Sequence, residues 1–118
     1  MPLTHLFAGV AVSDFATARP WYEALFGRPP DLLPKDGEAV WHVTSSGSVY
    51  VVADAARAGN ALVTIAVSDL DQFAAALAAQ GLSLDEEAAG SGGPRQLSIT
   101  DADGNQIKFF ADPGQATG

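Results

Sequence analysis

Apolar and polar positions alternate through residues 3 to 12, LTHLFAGVAV: Leu6, Ala8, Val10 and Val12 fall on one side, His5, Phe7, Gly9 and Ala11 on the other. Period-two patterning predicts a strand, with the uniformly aliphatic side set against a covering layer. Ser13 and Asp14 follow, both good helix N-caps. The period then changes. FATARPWYEALF, residues 15 to 26, brings Phe15, Ala18, Tyr22, Leu25 and Phe26 onto one helical stripe, and Gly27 ends it. Pro20 lies inside this helix, where it removes a backbone donor and is expected to bend the axis.

The pattern is then written a second time. VAVSDF at residues 10 to 15 returns as IAVSDL at 65 to 70, a shift of 55 positions, and a fixed-offset repeat governs the whole fold. In ALVTIAV, Ala61, Val63, Ile65 and Val67 oppose Leu62, Thr64 and Ala66. Ser68 with Asp71 looks like a capping box. DLDQFAAALAAQ carries Leu70, Phe73, Ala74 and Leu77 at helical spacing, with Gly81 as its stop. The first half continues with DLLP, EAVWHVT and SVYVVAD, and the second with LSLDEE, RQLSIT and NQIKFFAD. SSG and DADG, before the last segment of each, read as hairpin connections. Each half is therefore predicted to run β-α-β-β-β.

Two βαβββ modules of this length, each opening with a strand and then Val-Ser-Asp, resemble the vicinal oxygen chelate superfamily, the group of glyoxalases, bleomycin-resistance proteins and extradiol dioxygenases. AVSDF…WYEALFG in the first half and AVSDL…DADGNQIKFF in the second carry the resemblance, which covers about residues 3 to 112. It implies an α+β fold, a single domain over 1–118 with module one at 3–57 and module two at 58–113. The modules would form an eight-stranded, cup-shaped mixed sheet with helices on its outer face and the ligand inside. The cup closes within one chain, or by exchange between two chains of a homodimer. The Val-Ser-Asp stretch then recurs because each copy turns a central strand into the helix that covers it, and Ser13, Asp14, Ser68 and Asp69 are caps.

Strand parity turns Phe7, His42, Tyr50 and Val52 of module one toward that interior, and Leu62, Thr64, Gln96, Ser98, Lys108 and Phe110 of module two. Trp41 is expected on the helix side. Metal-dependent members of the superfamily carry His, Gln or Glu at four inward positions, two of them seven residues before the Asp of Val-Ser-Asp. Those positions are Phe7 and Leu62 here, and the two in the last strands fall on Tyr50, or on Val51 with a gap in the alignment, and on Lys108. Phe, Leu and Lys cannot supply the donors a divalent cation needs, so no metal and no other cofactor is expected. His5 and His42 also face inward, but two histidines without a carboxylate fall short of a metal site, and each reads first as a hydrogen-bonded rim residue. DADGN lacks the spacing of a calcium loop and reads as a turn.

Composition narrows the partners. Hydrophobic content of 47% marks a globular chain, and no apolar run reaches membrane-spanning length. The absence of cysteine removes thiolate chemistry and disulfides. MPLTHLFAGV has no export signal, so a cytoplasmic location is expected. Net charge is −8, which keeps the chain soluble, disfavours nucleic acid and suits a cationic guest. An apolar, partly aromatic surface with sparse polar anchors suits a small-molecule ligand, held by Phe7, His42, Tyr50, Val52, Leu62, Thr64, Ser98, Lys108 and Phe110. Three functions fit. One is a metal-free binding protein of the bleomycin-resistance type. The second is an enzyme of the lyase, isomerase or dioxygenase kind using His42, Tyr50 or Lys108, or an unconventional metal site. The third is a dimeric scaffold.

Overall fold

The computed structural model describes residues 2–87 and 95–112. The elements are β1 (Leu6–Val12), α1 (Phe15–Phe26), β2 (Leu32–Lys35), β3 (Glu38–Thr44) and β4 (Gly47–Ala53), then β5 (Leu62–Val67), α2 (Leu70–Ala79), β6 (Asp85–Glu87), β7 (Gln96–Thr100) and β8 (Gln106–Ala111). This is the βαβββ order twice over, an α+β chain with two four-stranded mixed sheets. Two compact units result: Met1–Ala61 with Asp101–Asn105, and Leu62–Thr100 with Gln106–Gly118.

In the first unit the strand order is β1-β4-β3-β2, with β1 parallel to β4 and the remaining pairs antiparallel. Register sets Val10, Val51, Ala39, Val49 and Trp41 on one face, and all five are buried. Helix α1 brings Tyr22 and Leu25 to the core. The Trp41 ring lies 5.4 Å from that of Phe26 and 6.3 Å from that of Tyr22, on the helix side as its parity requires. Its indole N–H donates to the Arg28 carbonyl at 3.0 Å, so the largest buried side chain leaves no donor unpaired. The helix ends at Gly27, whose φ of 76° is open to glycine at little cost. It runs through Pro20 without interruption, because Pro20 and Ala16, the residue whose carbonyl it leaves unpaired, are both exposed.

Two local expectations need correction. The caps are Asp14 and Asp69 alone: Asp14 accepts from the Thr17 amide and hydroxyl, and Asp69 from the Gln72 amide. A side chain three residues before the receiving amide reaches it; Ser13 and Ser68 stand one residue too far back. Ser13 instead donates its amide and hydroxyl to the Asp103 carboxylate, at 3.1 and 2.6 Å, and Asp71 pairs with Arg95 at 2.7 Å rather than closing a box. Leu6, expected on the packed aliphatic side, is 73% exposed. It pairs with Gly47, which offers no side chain to cover it.

The second unit repeats the plan as β5-β8-β7-β6, with β5 parallel to β8. Leu97, Ile99, Ile107 and Phe109 form its buried face, Phe109 meeting the Phe73 ring of α2 at 4.6 Å. Gly81 at φ 81° and the bond from the Leu82 amide to the Leu77 carbonyl close that helix. The strand expected in LSLDEE is only Asp85–Glu87. The start of RQLSIT is trimmed to Gln96, and residues 88–94 lie outside the described residues.

DADGN is a turn, and its carboxylate organises it. Asp101 Oδ1 accepts the amides of Asp103, Gly104 and Asn105, while Oδ2 accepts the Tyr22 hydroxyl and the Asn105 side-chain amide. Asn105 is wholly buried. Its Oδ1 accepts the Ala61 amide at 2.9 Å and its Nδ2 also donates to the Ala11 carbonyl at 2.8 Å.

Candidate functional site

The face of each sheet away from its helix carries the expected residues. In the first unit, pairing sets Phe7 beside Ser48, Gly9 beside Tyr50 and Ala11 beside Val52, with His42 opposite Ser48 on the other flank. In the second, Leu62 lies beside Gln106, Thr64 beside Lys108, Ser98 beside Lys108, and Gln96 beside Phe110. Parity alone placed these side chains, since alternate residues of a strand share a face.

The first unit holds an open concavity of about 250 Å³ on this face. Gly9, Ala11, Tyr50 and Val52 form its floor, and Asp54, Arg57, Asn60 and Ala61 its wall. Gly9 explains the floor. A Cβ at residue 9 would stand 2.6 Å from both Cζ and Oη of Tyr50, so only glycine lets the phenol ring lie across β1. The wall is a tight turn. Arg57 and Asp54 form an ion pair at 3.7 Å, the Asp54 carboxylate also accepts the Arg57 amide, and Asn60 donates to the Arg57 carbonyl. A phenol face, a carboxylate, a guanidinium and a carboxamide therefore converge on one small space. Sequence reading found Tyr50 and Val52 but missed the wall, whose residues lie in the segment joining the two repeats. Only the polar character of DAARAGN could have pointed to it.

Phe7 and Leu62 lie outside this concavity and are 54% and 66% exposed. Tyr50 and Lys108 are half-buried. These four positions offer one phenol oxygen, one ammonium and two hydrocarbon side chains, a donor set that does not fit a divalent cation. Among the described residues no three His, Asp or Glu side chains converge to hold a metal.

His5 and His42 are brought together, which strand parity alone did not require. Their rings lie 6.0 Å apart, and His5 Nε2 and His42 Nδ1 each stand 2.7 Å from the hydroxyl of Ser48, itself 2% exposed. Beside this cluster the Asp31 carboxylate accepts the His42 amide and pairs with Arg28, and its pKa is lowered, first by that amide bond and then by the guanidinium. The Arg28 guanidinium also donates to the His42 carbonyl.

Solved structures share this arrangement of elements. A glyoxalase/bleomycin resistance protein from Catenulispora acidiphila is 36% identical, with a TM-score of 0.85 over 92% of this chain and 98% of that one. The chain belongs to the glyoxalase/bleomycin resistance protein family. With that family it belongs to the vicinal oxygen chelate superfamily. A bleomycin-binding protein in complex with bleomycin shares the fold at 14% identity and a TM-score of 0.72, over 95% of this chain and 99% of that one. An antibiotic-binding protein from a Streptomyces strain does so at 24% identity and 0.70, over 94% and 98%. No family model and no curated protein matches the sequence. Within the glyoxalase/bleomycin resistance family, then, this member is described by its own side chains: a tyrosine floor with a polar wall, and a serine between two imidazoles.

Proposed function

We propose that this chain is a metal-free small-molecule binding protein that sequesters or carries a partly aromatic ligand on the helix-free face around Tyr50. The pairing of Gly9 with Tyr50 carries the reading. A side chain is absent where the ring lies, and the result is an aromatic floor beside a concavity with a charged and amide-bearing wall. Such a surface suits a planar guest with polar substituents, stacked on the ring and anchored at its edge. The printed names of two fold relatives, bleomycin-binding and antibiotic-binding, favour a guest of that kind. Hydrocarbon at Phe7 and Leu62 favours binding without a metal. The net charge of −8 favours a guest that carries positive charge.

The protein we envisage is a cytoplasmic homodimer. Among the described residues β1 and β5 each bond to a strand on one side only, and Leu6, Phe7 and Leu62 stand exposed. Free edges and uncovered apolar side chains are what a second copy would cover. No described helix is long and apolar enough to cross a membrane.

A thermal-shift screen with bleomycin and a panel of aromatic antibiotics tests the reading. A ligand at a hundred times its Kd should stabilise the native state by about 2.7 kcal/mol. That shift should vanish in Tyr50→Ala. A flat response across the panel, or one tightly bound divalent ion per chain in protein purified without added metal, would reject it.

A further inference from the structure

The two imidazoles and the hydroxyl between them impose a proton count. Ser48 Oγ has one hydrogen to give, and it stands 2.7 Å from His5 Nε2 and 2.7 Å from His42 Nδ1. With both rings neutral, the single hydrogen of Oγ rules out two accepting rings, and a bond on each side is made either by one imidazole that donates to Oγ and one that accepts from it, or by two that both donate. A relay uses the two arrangements in which one ring donates and the other accepts. If His5 donates, both rings are protonated at Nε2; if His42 donates, both are protonated at Nδ1. In the first state His5 Nδ1 is an open lone pair and His42 Nε2 carries a hydrogen; in the second these roles reverse. Neither outer nitrogen has a hydrogen-bond partner among the described residues, and both histidines are exposed while Ser48 is buried.

We propose that His5, Ser48 and His42 form a proton relay, an acid–base site that interconverts the keto and enol forms of a carbonyl compound with an acidic α C–H. His5 Nδ1 takes the α-proton. The C–H electron pair becomes the C=C bond, and the carbonyl π pair moves to oxygen, which receives the proton of His42 Nε2. Within the chain, His5 Nε2 passes its hydrogen to Ser48 Oγ, and Oγ passes its own to His42 Nδ1. Both rings are neutral before and after, no charge is created, and both have changed from the Nε2–H to the Nδ1–H tautomer. Ketonisation runs the same steps backwards. The ring centroids lie 6.0 Å apart, and the scheme requires each outer nitrogen to come within the ~3 Å of its substrate atom that proton transfer needs. His5 and His42 are the catalytic residues in this scheme, and Ser48 is a positioning residue that carries the proton between them. The inference stands on the hydrogen-bond chain and needs nothing from the occupancy of the Tyr50 concavity.

Two measurements on the whole protein test it. Long-range ¹H–¹⁵N spectra of the histidine rings should show equal tautomer fractions at His5 and His42, and Ser48→Ala should make the fractions differ. Opposite tautomers on the two rings in the unmodified protein would break the chain and overturn the proposal. Exchange of the α-hydrogens of phenylpyruvate in D₂O, followed by NMR, reads the activity. The protein should accelerate it, and Ser48→Ala, His5→Gln and His42→Gln should each lower that acceleration by about a hundredfold or more, the range of general acid–base catalysis. Circular dichroism confirms the fold, and His5→Gln, exposed and ahead of β1, spares it. No acceleration by the unmodified protein, or Ser48→Ala at the full rate, would overturn the relay.

Discussion

The hydroxyl of Tyr22 and the carboxylate of Asp101 meet at 2.7 Å, 79 residues apart in sequence. One end of the bond is a wholly buried ring at the centre of α1, and the other is the residue that organises the DADGN turn. Burial first, and then Asp101, push the phenol's pKa well above its ordinary value of 10.0.

Tyr22→Phe keeps the ring and removes the bond, so it should cost about 1.5–3 kcal/mol, the range for a hydrogen bond to a charged acceptor. Urea denaturation near neutral pH measures it.

The same phenol gives a pH dependence with a fixed sign. Above pH 10 the unfolded chain loses the Tyr22 proton while the folded chain retains it. The unfolded state then binds fewer protons, and stability falls by about 1.4 kcal/mol per pH unit on account of this group. Denaturation at about pH 9 and about pH 11 should show a steeper fall for the unmodified chain than for Tyr22→Phe. Equal slopes would mean that the phenol ionises alike in both states.

Asn105→Ala should be among the costliest polar substitutions. It strips partners from the Ala61 amide and the Ala11 carbonyl at a site that is 0% exposed. Each backbone group left unpaired beside this buried position costs up to about 1–3 kcal/mol. Chemical denaturation should show a loss of that order, and a change under about 1 kcal/mol would show that water replaces the side chain.

Gly9→Ala forces the Tyr50 ring out of its position, because the new methyl meets Cζ and Oη at 2.6 Å. Overpacking of this sort costs about 1–3 kcal/mol. Tyr50→Ala should relieve it, so a double-mutant cycle should give a coupling of at least about 1 kcal/mol. Additive effects would show that the ring moves aside freely.

Trp41→Ala should cost about 3–5 kcal/mol, the range for deleting a large buried aromatic. Leu6→Ser, at an exposed position of β1, should stay within about 0.5 kcal/mol. Guanidinium melts of the two variants make the comparison, and similar losses would contradict the packing described here.

Periodicity made the elements legible. Tyr22 and Leu25 are buried because a 3.6-residue stripe of apolar side chains has one stable solution, and Trp41 meets the Tyr22 ring because β3 alternates. The repeat fixed the element order, and parity put Tyr50 and His42 on the helix-free face. What escaped was what depends on reach rather than on period. Asp14 and Asp69 cap while the serines beside them do not, a difference of one residue. The Asp54–Arg57 wall belongs to a turn with no period at all, and the meeting of His5 with His42 depends on Ser48, which no pattern marks as a bridge.

Strand β4 has two careers. Val49 and Val51 lean into the helix layer, while Tyr50 and Val52 look the other way into the concavity. Under the binding role proposed above, a lineage adapting to a new guest would rewrite positions 50 and 52, and position 9 with them, and leave the buried valines in place. Specificity and stability would then be drafted on opposite sides of the same ribbon.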